Sequence, residues 1–158
     1  MTRFSSKEGY RAFDEAIPTI RYLNQELDIR TAVVSNGDGR IRSVLKDLEF
    51  PDCLAPIVLS EEEGIEKPCS EIFMKTLNLV NQDRDLEHKP IRPQESLHVG
   101  DELVCDYNGA INSGLNALLV RRLGVEGEYE HKEFNEILVG VDVIQGLDQV
   151  ISWVEGNR

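Results

Sequence analysis

The sequence lacks the features that would assign it to a membrane, to the secretory pathway or to a zinc-binding class. No apolar run reaches the roughly 18 residues of a bilayer-spanning helix, and no positively charged start precedes an apolar stretch, as it does in a secretory signal. The 3 cysteines, Cys53, Cys69 and Cys105, are widely spaced and form no Cys-x-x-Cys pair. We therefore expect free thiols, no membrane partner and a cytoplasmic location, with the nucleus as a second compartment.

Positive charge is also scarce. The 158 residues include 17 lysines and arginines against 29 aspartates and glutamates, a formal net charge of −12. Such an acidic surface repels phosphate backbones, so we expect no nucleic-acid partner. A small phosphorylated molecule would have to be met by local positive charge or by a metal ion. The length suits one domain with a hydrophobic core.

Short β-branched runs alternate along the chain with apolar residues at helical spacing. The strand-like runs lie at 31–34, 56–59, 96–99, 116–120 and 141–144, and the helical patterns at 16–27, 41–48, 73–80, 106–112 and 147–154. This alternation predicts an α/β fold, a parallel sheet with right-handed crossovers and helices on both faces. Ligands of such folds bind beyond the carboxyl ends of the strands.

Residues 1–13 are polar and predict an arm or linker, and residues 14–158 are predicted to form one folded domain. Two highly charged stretches, 81–95 and 121–135, carry proline or glycine and are predicted to be solvated loops. Neither stretch contributes a residue to the predicted site.

Two polar segments are candidates for holding phosphate. Ser35 and Asn36 end the first strand, where a hydroxyl group and the backbone N–H groups at the start of a helix can bind phosphate oxygens. Lys67 precedes Pro68 and a predicted helix, so its ammonium group would be held in place to neutralise a phosphoryl group. The alternatives are that Ser35 caps a helix and that Lys67 is an ordinary surface lysine.

The segment from His98 to Asp106 carries the strongest signal. Gly100 lets the chain turn after an apolar strand, and Asp101 and Asp106 can flank a hard cation that prefers oxygen ligands. Asp101 is the better direct ligand, Asp106 is better placed to orient the loop or a metal-bound water, and Glu102 is a rival ligand. The alternative is helix capping by these acidic residues. His98 is predicted to be a core or edge residue rather than a base.

Three segments in this order resemble motifs two, three and four of the haloacid dehalogenase-like hydrolase superfamily. They are Thr31–Asn36, Glu66–Phe73 and His98–Ala110, and the similarity runs from about Asp14 to about Trp153. The resemblance implies a Rossmann-like core, a Mg²⁺ cofactor and phosphoryl transfer through a phospho-aspartate.

The resemblance also implies a role for each matching residue. Ser35 and Asn36 would bind phosphate. Lys67 would steady both the nucleophile and the phosphoryl oxygens, as a catalytic and phosphate-binding residue. Asp101 and Asp106 would lie on the metal side, with Asp101 also in the catalytic set.

A further implied element has no match in the sequence. Motif one would supply a nucleophilic aspartate and an acid–base aspartate on a central strand well before Ser35, but no Asp-x-Asp ends an apolar strand, and neither Asp14 nor Asp142 fits. The cap domain is missing too, apart from its exit segment, for which 1–13 is the candidate. We therefore expect the carboxyl-terminal part of a Mg²⁺-dependent phosphohydrolase, inactive alone and lacking the central strand. The alternatives are a non-catalytic binding module and a fragment complemented by another chain.

Overall fold

Strands and helices alternate along the described part of the chain, which is residues 9–82 and 89–157 of a computed structural model. The helices are α1 (Ala16–Gln25), α2 (Arg40–Asp47), α3 (Ser60–Glu63), α4 (Ser70–Gln82), α5 (Gly109–Asn112) and α6 (Gln149–Gly156). The strands are β1 (Thr31–Ser35), β2 (Leu54–Leu59), β3 (Leu97–Gly100), β4 (Asn116–Val120) and β5 (Val143–Ile144). Every predicted strand is therefore present.

The strands form two separate parallel sheets. β1 pairs with β2, whereas β3 pairs with β4, which pairs in turn with β5. Within the described residues no ladder joins β1 to β3. The prediction of a parallel α/β fold without a central strand is thereby confirmed, and the interruption falls between β1 and β3.

Helices cover both faces of the sheets. Successive side chains of a strand point to opposite faces. Ala117 and Leu119 of β4 accordingly pack with α4 and α5, whereas Leu118 and Val120 pack with α1 and α6. All four side chains are at most 8% exposed. The first cluster also contains Val58 of β2, so one core connects the two sheets.

The helical segment after β3 begins earlier than the sequence predicts and starts with a different type of turn. The spacing predicts a short helix over 106–112, but the chain forms a π-helical turn over Leu103–Asn108 that continues into α5. π-helical turns are rare and occur often at functional sites. This turn buries Asp106 beneath β3, with only 3% of the residue exposed.

The prediction of a solvated loop over 121–135 is wrong at its beginning. Arg121 and Arg122 are only 9% and 8% exposed. Arg121 forms an ion pair with Glu136, and Arg122 forms one with Glu15 and lies 3.5 Å from the centre of the Phe13 ring. These contacts offset the cost of burying two guanidinium groups. Local composition does not reveal them, because Glu15 and Phe13 are far away in the sequence.

Parts of two predicted segments lie outside the described residues. They are residues 1–8 of the polar arm and residues 83–88 of the first charged loop. Among the residues that are described, no helix is long and apolar enough to cross a bilayer. Cys53, Cys69 and Cys105 are free thiols.

Candidate phosphate site at the strand ends

The carboxyl end of β1 opens onto a cavity. Ser35 and Asn36 lie on its wall, and the cavity has a volume of about 230 Å³. Arg40, which sequence analysis did not single out, also lines it and binds the Asp38 carboxylate through its guanidinium group. The Arg40 side chain and backbone N–H lower the pKa of Asp38 to about 2. The cavity wall therefore combines the Ser35 hydroxyl group with a positioned guanidinium group.

Asn36 uses its side chain to hold the backbone of Lys67. Its amide nitrogen donates to the Lys67 carbonyl oxygen at 2.9 Å, and its amide oxygen accepts the Lys67 N–H at 2.8 Å. This reciprocal pair of hydrogen bonds fixes the loop before α4 against the end of β1. The predicted phosphate-binding residue Asn36 and the predicted catalytic residue Lys67 are therefore in direct contact.

Asp106 is the centre of the buried part of the site. One of its carboxylate oxygens accepts a hydrogen bond from Lys67 Nζ at 2.5 Å and lies 2.8 Å from His98 Nε2. The other oxygen accepts the backbone N–H of Glu102 at 2.9 Å. A buried ion pair is favourable only when further hydrogen bonds satisfy the charged atoms. His98 and Glu102 provide these bonds, so the Lys67 ammonium group has a fixed position.

The surroundings of Asp106 keep it ionised. Burial favours the neutral acid, but the hydrogen bond with His98 and the charge and hydrogen bond of Lys67 outweigh burial. The pKa of Asp106 consequently lies well below the usual range of an aspartate. Gly100 makes this arrangement sterically feasible, because a methyl group on its Cα would overlap the Asp106 carboxyl group.

Asp101 is held by the segment that follows β4. Its backbone carbonyl oxygen accepts a hydrogen bond from Arg121 Nη1 at 2.5 Å, and one carboxylate oxygen accepts the backbone N–H of His131 at 3.1 Å. Glu136 fixes the Arg121 guanidinium group through contacts of 2.9 and 2.6 Å. Asp101 is thus joined to Arg121 and His131, whereas Asn36, Lys67 and Asp106 are joined to one another.

The two carboxylates suit a hard cation in different ways. Both oxygens of Asp106 are already engaged by Lys67, His98 and Glu102, whereas the hydrogen bonds of the described residues engage one oxygen of Asp101. Mg²⁺ commonly takes one or two carboxylates and keeps several waters. In residues 9–82 and 89–157, no group of three or more His, Cys, Asp or Glu side chains is arranged to hold a metal ion. The roles of Asp101 as a direct ligand and of Asp106 as an orienting group therefore stay predictions.

His98 was expected to be a core or edge residue, and it has a second contact that the sequence does not show. Its ring packs edge-on against Phe73, with the ring centroids 5.1 Å apart. Its Nε2 atom meets Asp106. The sequence offers a weak signal for this contact, because His98 lies in the strand that leads into the Gly100–Asp101 turn.

The family of the chain is decided by comparison with known proteins. A model of the haloacid dehalogenase-like hydrolases matches residues 3–114. The chain belongs to this family. The resemblance of the three strand-end and loop motifs is thereby confirmed.

Individual relatives agree with the family. Human haloacid dehalogenase-like hydrolase domain-containing protein 3, whose subgroup the block from Val99 to Ala110 resembles most, is 31% identical over 117 residues, or 74% of this chain and 43% of the human protein. The glyceraldehyde 3-phosphate phosphatase of Pyrococcus abyssi is 32% identical over 96 residues, or 60% of this chain and 35% of that protein. The chain spans less than half the length of both curated relatives.

A solved structure shows the shared fold. The haloacid dehalogenase-type phosphatase of Thermococcus onnurineus superposes with a TM-score of 0.71 at 22% identity. The match covers 92% of this chain and 59% of that one. The two separated sheets of this chain therefore adopt the arrangement found in a larger protein.

Proposed function

We propose that this chain forms the phosphate-binding and metal-binding part of a Mg²⁺-dependent phosphohydrolase and that it does not hydrolyse phosphate esters alone. The observation that carries this proposal is the Lys67 ammonium group, held by Asp106 and fixed through the backbone to Asn36 at the end of β1. A cation that is held in a fixed position near a strand end suits a phosphoryl group.

Each residue has a distinct part in the proposed site. Ser35 donates its hydroxyl hydrogen to a phosphate oxygen, and Lys67 neutralises charge on the phosphoryl group. The Asn36 side chain binds the backbone of Lys67 and thereby orients Lys67. Asp101 supplies a carboxylate to Mg²⁺, and Asp106 orders the loop that presents Asp101. The bound cation would add positive charge at the phosphoryl oxygens.

The proposed inactivity rests on the nucleophile. The only aspartates two residues apart in the sequence are Asp83 and Asp85. They lie outside the described residues, and they follow α4 in the chain rather than an apolar strand. Asp106 is bound to Lys67 and is buried, which disfavours it as an attacking group. The attacking carboxylate would therefore have to come from outside these 158 residues.

The proposed substrate class is a small phosphate monoester. The cavity of about 230 Å³ at the carboxyl end of β1, which Ser35, Asn36 and Arg40 line, has room for a phosphate group with a few further atoms. The Pyrococcus abyssi relative is a glyceraldehyde 3-phosphate phosphatase, and it suggests glyceraldehyde 3-phosphate as the first ester to test.

Titration calorimetry tests the binding part of the proposal. We expect the chain to bind inorganic phosphate more tightly with Mg²⁺ present, and Ser35→Ala to weaken phosphate binding by about tenfold, the loss of one good hydrogen bond to a charged group. Ser113→Ala is the matched control, because the Ser113 hydroxyl group donates to the Gly109 carbonyl oxygen away from the site. Equal phosphate affinity in Ser35→Ala and in the unaltered chain would contradict the assignment of Ser35.

Hydrolysis of an aryl phosphate with Mg²⁺ tests the catalytic part. We expect no turnover by the chain alone. Robust turnover that disappears in Asp101→Ala would show that the chain contains its own nucleophile, and it would defeat that half of the proposal while leaving the binding half intact.

A further inference from the structure

The segment 123–139 exposes most of its large apolar side chains. Those with exposures from 71% to 93% are Leu123, Val125, Phe134, Ile137 and Val139. Among the other described residues, the most exposed large apolar side chain is that of Ile111, at 47%. Single exposed apolar residues are common on soluble proteins, whereas a group of them marks an interaction site.

The backbone that carries these side chains is attached to two buried residues, Arg121 and Arg122. The Arg122 N–H donates to a Glu130 carboxylate oxygen at 2.7 Å. The Arg121 guanidinium group binds the Glu136 carboxylate. One exposed stretch of the segment directly follows Arg122 and the other lies on either side of Glu136, so both stretches start at this pair of neighbouring arginines.

Further contacts hold the segment in shape. The Lys132 ammonium group donates to the Gly127 carbonyl oxygen at 2.8 Å. Leu138, which lies between the exposed residues Ile137 and Val139, packs against the core cluster of β2 and β4. A backbone that is already ordered lowers the conformational entropy that is lost when a partner binds.

The exposed charges of the segment are mostly negative. Residues 123–139 include five glutamates and one lysine. Glu126, Glu128 and Glu133 are exposed, and the other two glutamates bind the buried arginines. The formal net charge of −12 adds to the negative potential of this surface. Electrostatic complementarity therefore favours a basic partner, and it disfavours a second copy of this chain, anionic lipid and nucleic acid.

We propose that the segment 123–139 is a docking surface for a peptide segment of a partner protein that combines apolar side chains with lysine or arginine. The apolar side chains of the partner cover those of the segment, and its cations pair with the exposed glutamates. Burial of apolar surface supplies most of the affinity, because exposed ion pairs contribute little. This interaction is separate from phosphate binding, since none of the exposed apolar residues of the segment lines the cavity at the end of β1.

A labelled synthetic peptide in which lysines alternate with leucines is a suitable probe. Fluorescence anisotropy measures its affinity for the full chain in the absence of phosphate and Mg²⁺. One control peptide has glutamates in place of the lysines, and a second has serines in place of the leucines. We expect both control peptides to bind at least about tenfold more weakly than the probe, because each lacks one of the two complementary properties.

Substitutions in the chain locate the bound peptide. Phe134→Ser should weaken binding of the probe by about tenfold or more, because aromatic side chains are common anchors of interfaces. Its matched control is Ile111→Ser on α5, which should leave the affinity unchanged. Glu128→Gln should weaken binding by about twofold, the value of one exposed ion pair, whereas Glu155→Gln on α6 should have no effect.

Several results would overturn the proposal. They are a probe that does not bind, equal affinity for the probe and either control peptide, and equal losses of affinity in Phe134→Ser and Ile111→Ser. Binding of the chain to phosphatidylcholine vesicles that Phe134→Ser abolishes would assign the segment to a membrane, and a dimer that Phe134→Ser dissociates would assign it to a second copy. Either result would also overturn the proposal. The peptide assay contains neither phosphate nor Mg²⁺, so a failure of phosphate binding would leave this inference standing.

Discussion

The strands β4 and β1 have the same length and similar apolar sequences, but their surroundings differ. β4 has a strand on each side, and Ala117, Leu118, Leu119 and Val120 are at most 8% exposed. Among the described residues, β1 has a neighbouring strand on one side only, and all its residues remain half-buried. The comparison shows that burial in this molecule depends on the neighbours of a strand as well as on its sequence. β4 lies in a complete core that includes Val58 of β2, whereas β1 depends on contacts that reach across the gap between β1 and β3.

The largest effect is expected from breaking the ion pair that connects the two halves. Asp106→Ala leaves the buried Lys67 ammonium group without its partner, and we expect a loss of about 3–5 kcal/mol in the free energy of unfolding. Urea denaturation measures it. The control is Asp14→Ala, which removes the exposed ion pair with Arg11 and should change stability by less than about 0.5 kcal/mol. A loss below about 1 kcal/mol in Asp106→Ala would show that this pair does not hold the halves together.

The next effect concerns the close approach of β3 and Asp106. Gly100→Ala introduces a methyl group that overlaps the Asp106 carboxyl group, and Asp106 cannot move away without breaking its bonds to Lys67 and Glu102. We expect the free energy of unfolding to fall by about 3 kcal/mol, which is at the upper end of the range for overpacked cores. Thermal or urea unfolding measures the loss.

Gly39→Ala is the matched control for Gly100→Ala. The nearest atom to a methyl group at Gly39 is a Glu62 carboxylate oxygen at 3.8 Å, an ordinary contact distance. The control should change stability by less than about 0.5 kcal/mol. Equal losses in the two variants would mean that Gly100 is not required for the approach of Asp106.

Much of the fold follows from the sequence, and the reason lies in its local patterns. β-branched runs and helical spacing are properties of neighbouring residues, so the strands β1 to β5 and the main helices could be predicted. Ser35, Asn36 and Lys67 could be singled out as candidates because each lies in a characteristic short motif, and their role in binding phosphate stays a prediction. The order of these motifs along the chain also matches the family, and no single motif provides that information.

The parts that could not be predicted depend on contacts between distant residues. Arg121 is charged and follows a strand, so composition places it in a solvated loop, but Glu136 and the Asp101 carbonyl oxygen bury it. His98 has the pattern of a core residue, and only the π-helical turn brings Asp106 to it. Both residues join the site through geometry that the linear sequence does not encode locally.

Two side-chain truncations test the difference in packing between β4 and β1 directly. Leu119→Ala removes a side chain that is 0% exposed from the interior of the complete core, and we expect a loss of about 3 kcal/mol. Val34→Ala, in half-buried β1, should cost about 1 kcal/mol because less surface is covered there. Urea unfolding under identical conditions gives both values. Equal losses would mean that β1 is as fully packed as β4 and would remove the basis of the comparison.

The smallest and most specific effect is the pH dependence of the contribution that Asp106 makes to the free energy of unfolding. The folded-state pKa of Asp106 is depressed, so its contribution is fully present above the pKa of an unfolded aspartate, about 3.9. As the pH falls below about 4, the unfolded chain takes up a proton that the folded chain does not, and the contribution shrinks. We therefore expect the stability advantage of the unaltered chain over Asp106→Asn to be constant from about pH 5 to 7 and to diminish steadily below about pH 4.

Salt separates this buried carboxylate from an exposed one. Asp38 also has a lowered pKa, about 2, but its partner Arg40 is exposed, so added salt should reduce its contribution. The Asp106 contribution should persist in about 1 M salt, because a buried pair is screened much less. Measuring Asp106→Asn and Asp38→Asn against the unaltered chain, at low and high salt, tests both expectations. If salt reduces the two contributions alike, the contact between Lys67 and Asp106 is solvated, and the link between the two halves of the molecule is weaker than its geometry indicates.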